Sequence, residues 1–98
     1  MNSYNPRQDH QELHAIIWGR VQGVGFRVAA RQYAIQLDLK GTARNLEDGN
    51  VEIFIQGPKE KLEEFIKLLK EHFGPGYIAR FDIKYQNSTQ MFDQFSII

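Results

Sequence analysis

Nine residues, Gly19-Arg20-Val21-Gln22-Gly23-Val24-Gly25-Phe26-Arg27, separate two kinds of hydrophobic spacing. Before them, Leu13, Ala15 and Ile17 alternate with His14, Ile16 and Trp18, the period of a strand with apolar residues on both faces. After them, Phe26, Ala29, Ala30, Tyr33, Ala34 and Leu37 recur three or four apart, which makes one helical stripe. The junction is therefore a strand-to-helix turn. Its glycines let the chain turn tightly and let a ligand reach the amides without meeting a Cβ. A helix start presents unpaired N–H groups and the positive end of a dipole, so such a loop is a cradle for a phosphate-sized anion. Arg27, in the first helical turn, adds a permanent charge and a planar donor fork. Two familiar phosphate loops are excluded. A Walker loop requires Gly-Lys-Ser/Thr, and Phe26-Arg27 stands in its place. The dinucleotide fingerprint requires a third glycine at the position of Val28.

The rest of the chain supplies the frame. Met1 to Glu12 is polar, repeats at no structural period and is expected to be a flexible N-terminal arm, leaving residues 13–98 as one domain. Leu39 to Leu46 reads as a second strand, followed by the turn Glu47-Asp48-Gly49-Asn50, a strong hairpin signal. Val51, Ile53 and Ile55 alternate in a third strand. Gly57-Pro58 breaks it and opens a helix whose stripe is Leu62, Phe65, Ile66, Leu69 and Phe73. Gly74-Pro75-Gly76 stops that helix, Ala79, Phe81, Ile83 and Tyr85 alternate in a fourth strand, Gln86 to Met91 forms a polar loop, and Phe95 and Ile97 make a short last strand. The order predicts an α+β, ferredoxin-like split β-α-β sandwich (βαββαβ): an antiparallel sheet with two helices on one face. In that plan the second strand lies at a sheet edge, and Ala43-Arg44-Asn45 runs toward the hairpin.

Composition narrows the function. With 98 residues there is room for a single core. Formal net charge is zero, so no overall field draws nucleic acid or an anionic membrane, and any attraction for anions must be local. There is no cysteine, hence no disulfide, thiolate metal site or thiol nucleophile. No apolar run approaches the ~20 residues that span a bilayer, and the N-terminus lacks the layout of a signal peptide. The expected location is cytoplasmic.

Two motifs resemble those of the acylphosphatases. Ile17-Trp18-Gly19-Arg20-Val21-Gln22-Gly23-Val24-Gly25-Phe26-Arg27 is similar to that family's N-terminal signature without a departure. Gly41-Thr42-Ala43-Arg44-Asn45, then Asp48-Gly49-Asn50-Val51-Glu52, ending at Gly57, resembles the second signature except at Thr42, where the family usually has an aromatic residue. The resemblance covers about Leu13 to Ile98. It implies hydrolysis of the carboxyl–phosphate bond of a small-molecule acyl phosphate to a carboxylate and inorganic phosphate, with inorganic phosphate also an inhibitor. It implies that Arg27 and Asn45 are the catalytic pair. The arginine would bind the phosphoryl group with the amides of Gln22, Gly23, Val24, Gly25 and Phe26, and the asparagine would position the attacking water. Neither metal nor cofactor is implied, and the expected partners include no nucleic acid, no membrane and no second subunit.

The residues make chemical sense of this. An acyl phosphate already carries a good leaving group, so positioning and charge stabilisation do most of the work. An asparagine amide orients water but is a very poor base, so the proton is expected to pass to the substrate's own phosphate. A lone Asn before a hairpin is commonly a turn residue, a reading the second motif reverses. Arg27 at a helix start opposes the dipole, a poor structural choice that favours a functional one. Arg20, Arg31 and Arg44 read as solvated, and His10, His14 and His72 show no ligand spacing. RNA-recognition domains share this order of elements, but they carry a Gly-aromatic signature on the third strand, where this chain offers only Phe54 outward. A binding module that uses the anion loop without turnover is the other rival, and Asn45 argues against it.

Overall fold

The computed structural model of the chain describes residues 10–88 and 90–98. Seven elements follow in order: strand β1 (His10–Gly19), helix α1 (Phe26–Gln36), strands β2 (Lys40–Asn45) and β3 (Val51–Pro58), helix α2 (Lys59–Phe73), and strands β4 (Ile78–Gln86) and β5 (Phe95–Ile97). The strands form one sheet in the order β4-β1-β3-β2-β5. Four of them pair antiparallel as the sequence predicts, while β5 runs parallel to β2. The sheet is therefore mixed, and the two-helix, ferredoxin-like α+β plan holds.

Register explains where the core sits. Ala15 faces Ile53 and Ile83, Ala43 faces Ile53, and Leu13 faces Ile55, so the odd-numbered residues of β1, β2 and β3 share one face. Both helices press their stripes onto that face. Phe26, Ala29, Ala30 and Ala34 of α1 are buried there with Leu62, Phe65, Ile66 and Leu69 of α2. Val21, at 1% exposure, pins the glycine loop into the same core.

Three features depart from the sequence reading. The second strand is not at an edge. β5 covers it, with Phe95 buried, Gly41 N–H donating to Gln94 O at 3.1 Å and Ile98 N–H to Ala43 O at 3.0 Å. Strand β1 begins at His10, so the last three residues expected in the polar arm lie in the sheet, and residues 1–9 of that arm lie outside the described residues. Glu12 is buried there because two amides solvate its carboxylate, Gln56 Nε2 at 2.9 Å and Gln86 Nε2 at 2.6 Å. Finally, the alternating face of β4 stays partly open, Ile83 and Tyr85 both being exposed. β4 is an edge strand, and lysines of α2 cover its rings, Lys70 lying 5.4 Å from the Phe81 centroid and Lys59 5.5 Å from that of Tyr85.

Candidate active site

The loop between β1 and α1 takes its shape from two left-handed residues. Gly23 has φ 77° and Gly25 φ 82°, and a Cβ at either would meet nothing within 4 Å. Space is thus no constraint there. The requirement for glycine is the backbone conformation, which side-chain-bearing residues adopt at a cost of roughly 1–2 kcal/mol. Gly25 is the N-cap of α1 and offers no side-chain cap, while its carbonyl accepts from Ala29 N–H at 3.0 Å. Residues 22–25 form a hydrogen-bonded turn that leads directly into α1. The loop thus lies at the N-terminus of α1, the positive end of the helix dipole.

Arg27 stands in the first turn beside these amides and is half-buried. No acidic residue occupies that turn, and among the described residues Arg27 joins no salt bridge. Two other arginines are used differently. Arg44 Nε donates to Glu52 Oε1 at 2.7 Å, and Arg80 Nε lies 3.0 Å from Asp82 Oδ1. A cleft of about 90 Å³ opens beside the loop, lined by Gly23, Gly25, Phe26, Arg27 and Ile97 among others. Ile97 was not among the candidate residues. It arrives through the parallel pairing of β5 with β2, which sequence spacing does not announce.

Asn45 is the last residue of β2 and is exposed. It pairs with Val51, and Val51 with Ile17, so the three form one row across the sheet on the helix-bearing side. Ile17 is two residues from the end of β1, where the glycine loop departs. Asn45 therefore sits at the loop end of the sheet and on its helix side, although it does not itself line the cleft. Its neighbour Arg44 faces the other way, into the Glu52–His14 cluster on the open side. There, burial pushes the Glu52 carboxyl up, but hydrogen bonds from His14 and Arg44 outweigh it and hold the group below its ordinary value.

The candidate residues thus divide. Gly23, Gly25, Phe26 and Arg27 share the cleft, and Val24 is exposed in the same loop. Gln22 turns its side chain elsewhere, donating to Leu46 O at 2.7 Å and Asn50 O at 2.8 Å on the β2–β3 hairpin. Trp18 serves the open face: its Nε1 donates to Asp82 at 2.8 Å and the Arg80 guanidinium stacks 4.5 Å from its ring centroid. No three His, Cys, Asp or Glu side chains among the described residues group to hold a metal, and no described helix is long and apolar enough to cross a membrane.

Comparison with known proteins bears on the family and the fold. The family model described as Acylphosphatase matches residues 13–97. The acylphosphatase of Paenarthrobacter aurescens is 41% identical over 86 residues, which is 88% of this chain and 92% of that one. That of Pseudothermotoga lettingae is 40% identical over 89 residues, 90% of this chain and 98% of the relative. Among solved structures, the acylphosphatase from Bacillus subtilis is similar with a TM-score of 0.82 at 32% identity, covering 90% of this chain and 98% of that one.

Proposed function

The chain belongs to the acylphosphatase family, and from that membership we propose a division of labour for hydrolysis of an acyl phosphate: Arg27 and the amides of Gln22 to Phe26 hold the phosphoryl group, and Asn45 positions the attacking water. Water adds to phosphorus as the bond from phosphorus to the acyl oxygen breaks. The electron pair leaves with the carboxylate, and the water proton passes to a phosphoryl oxygen. Since the leaving carboxylate is stable, the protein's part is to fix geometry and offset charge on the phosphoryl oxygens. The scheme calls on no metal.

The observation that carries this reading is the state of Arg27. A half-buried arginine at a helix start, with no ion partner among the described residues, is unfavourable unless an anion joins it. The adjoining loop amides, at the N-terminus of α1, would offer that anion donors from a second side. Asn45, two residues beyond the buried Ala43 on the same face, is the polar group at the rim. On the same reading, inorganic phosphate is product and competitive inhibitor, and the enzyme works as a cytoplasmic monomer. Phosphate release from a simple aromatic acyl phosphate, followed with chelator present, tests it. Release at an enzymatic rate supports the reading, and binding of phosphate without turnover would make the chain a binding module.

A further inference from the structure

Gln22 spends both protons of its side-chain amide on another element. Nε2 donates to Leu46 O at 2.7 Å and to Asn50 O at 2.8 Å, 24 and 28 residues away. Those two carbonyls are the neck of the β2–β3 hairpin. Leu46 O also accepts from Gly49 N–H at 3.2 Å, and Asn50 O from Leu46 N–H at 2.8 Å. One planar amide thus binds both sides of the turn at the residue directly after Asn45. On the loop side, Gln22 directly precedes Gly23, the first of the exposed cradle residues. Val21 and Phe26 anchor the loop ends in the core, each 1% exposed.

We propose that the Gln22 side chain is a positioning residue for the hydrolysis, a clamp that sets the hairpin neck, and with it Asn45, at a fixed offset from the phosphate cradle. This role is separate from that of the Gln22 backbone N–H, and it rests on the assignment of Asn45 to the attacking water. The reason for a clamp is geometric. The phosphoryl group is held by α1 and its loop, while the water is held from β2. In-line attack depends on the offset between them, and a displacement of about 1 Å can cost on the order of a hundredfold in rate. The loop is glycine-rich and Glu47 and Asp48 at the hairpin tip are exposed, and the Gln22 amide is a side-chain cross-link between the two. A glutamine amide is suited to the task because it offers two donors in one plane to two carbonyls.

A double-mutant cycle tests the clamp on four proteins: wild type, Gln22→Met, Asn45→Ala and the double variant. Methionine has nearly the length of glutamine and no donor. Gln22→Met should lower kcat on an aromatic acyl phosphate by about tenfold or more, while the inhibition constant for inorganic phosphate moves less than about threefold. In the Asn45→Ala background the same substitution should lower kcat by less than about twofold, because the clamp acts through Asn45. Losses that multiply across the cycle would overturn the proposal. So would a Gln22→Met protein that loses thermal stability but keeps kcat per folded molecule, or one whose main defect is weaker phosphate binding. If Gln22→Met does not fold, Gln22→Asn, which keeps the amide but shortens its reach, carries the same cycle. If Asn45→Ala alone leaves kcat unchanged, the water-positioning assignment fails and the clamp fails with it. That outcome is distinct from additive losses, which would sink the clamp only.

Discussion

Replacing Arg27 by alanine separates function from stability more sharply than any other single change. On the activity side, the substitution removes a charged two-pronged donor from a half-buried cleft where the phosphoryl oxygens would lie. Loss of one preorganised donor to a transition-state oxygen costs about 2.7–4 kcal/mol, a factor of roughly 10² to 10³ in kcat. The charge of Arg27 places the expectation at or beyond the upper end. On the stability side, the sign reverses. Arg27 has no salt-bridge partner among the described residues to lose. It sits at the end of α1 where a cation opposes the dipole by about 0.3–1 kcal/mol, and alanine is the better helix former. Stability should therefore stay level or rise by up to about 1 kcal/mol, which for a domain of this size is an increase of up to about 4–8 °C in Tm. Phosphate release and a circular-dichroism melt on the same preparation read both quantities. Arg27→Lys should recover only part of the loss, since a point charge does not replace the fork. Near-normal kcat in folded Arg27→Ala, or a loss of more than about 2 kcal/mol of stability, would refute the reasoning.

Activity should survive exhaustive chelation, and inorganic phosphate should inhibit competitively; restoration by Mg²⁺ after a chelator-induced loss, or noncompetitive inhibition, would contradict the scheme. Gly25→Ala should cost about 1–2 kcal/mol from its φ of 82° alone, since a Cβ there meets nothing within 4 Å, and turnover should fall with it; a denaturant titration and initial rates check both. Glu52→Gln should destabilise by about 1 kcal/mol at neutral pH, a figure kept small because Arg44 is largely exposed. The folded carboxyl lies below its ordinary value of 4.5, so its contribution is full above that pH and is lost as pH falls through the folded value. The two proteins should therefore converge in Tm under more acid conditions, and a constant gap across the pH range would show that Glu52 acts by packing instead.

What the sequence discloses and what it hides follow from the range of the forces involved. Strand and helix order is written in local periodicity, and apart from the earlier start of β1, strands β1 to β4 and both helices fall where Leu13–Trp18, Phe26–Leu37, Leu39–Leu46, Val51–Ile55, Leu62–Phe73 and Ala79–Tyr85 put them. Arg27 is legible because a cation at a helix start is locally unfavourable and so asks for a reason. The parallel partner of β5 is not legible. A strand of three residues carries too little pattern to state its register, and the position of β2 inside the sheet follows from it. The same holds for the first residues of β1, where Glu12 reads as part of a polar arm until Gln56 and Gln86 meet its carboxylate from two other strands. The contacts of Gln22, made 24 and 28 residues away, are likewise tertiary and leave no local mark.

The most direct test of the account is a paired measurement on Asn45→Ala: kcat on an aromatic acyl phosphate, and the inhibition constant for inorganic phosphate, on protein shown to be folded. Asn45 is exposed at the end of β2, so truncation leaves the core and the cradle amides in place. If its amide holds the attacking water while Arg27 and the loop hold the phosphoryl group, kcat falls by about two orders of magnitude and the inhibition constant stays within a few-fold. A folded Asn45→Ala protein with unchanged kcat would contradict the division of labour at its centre.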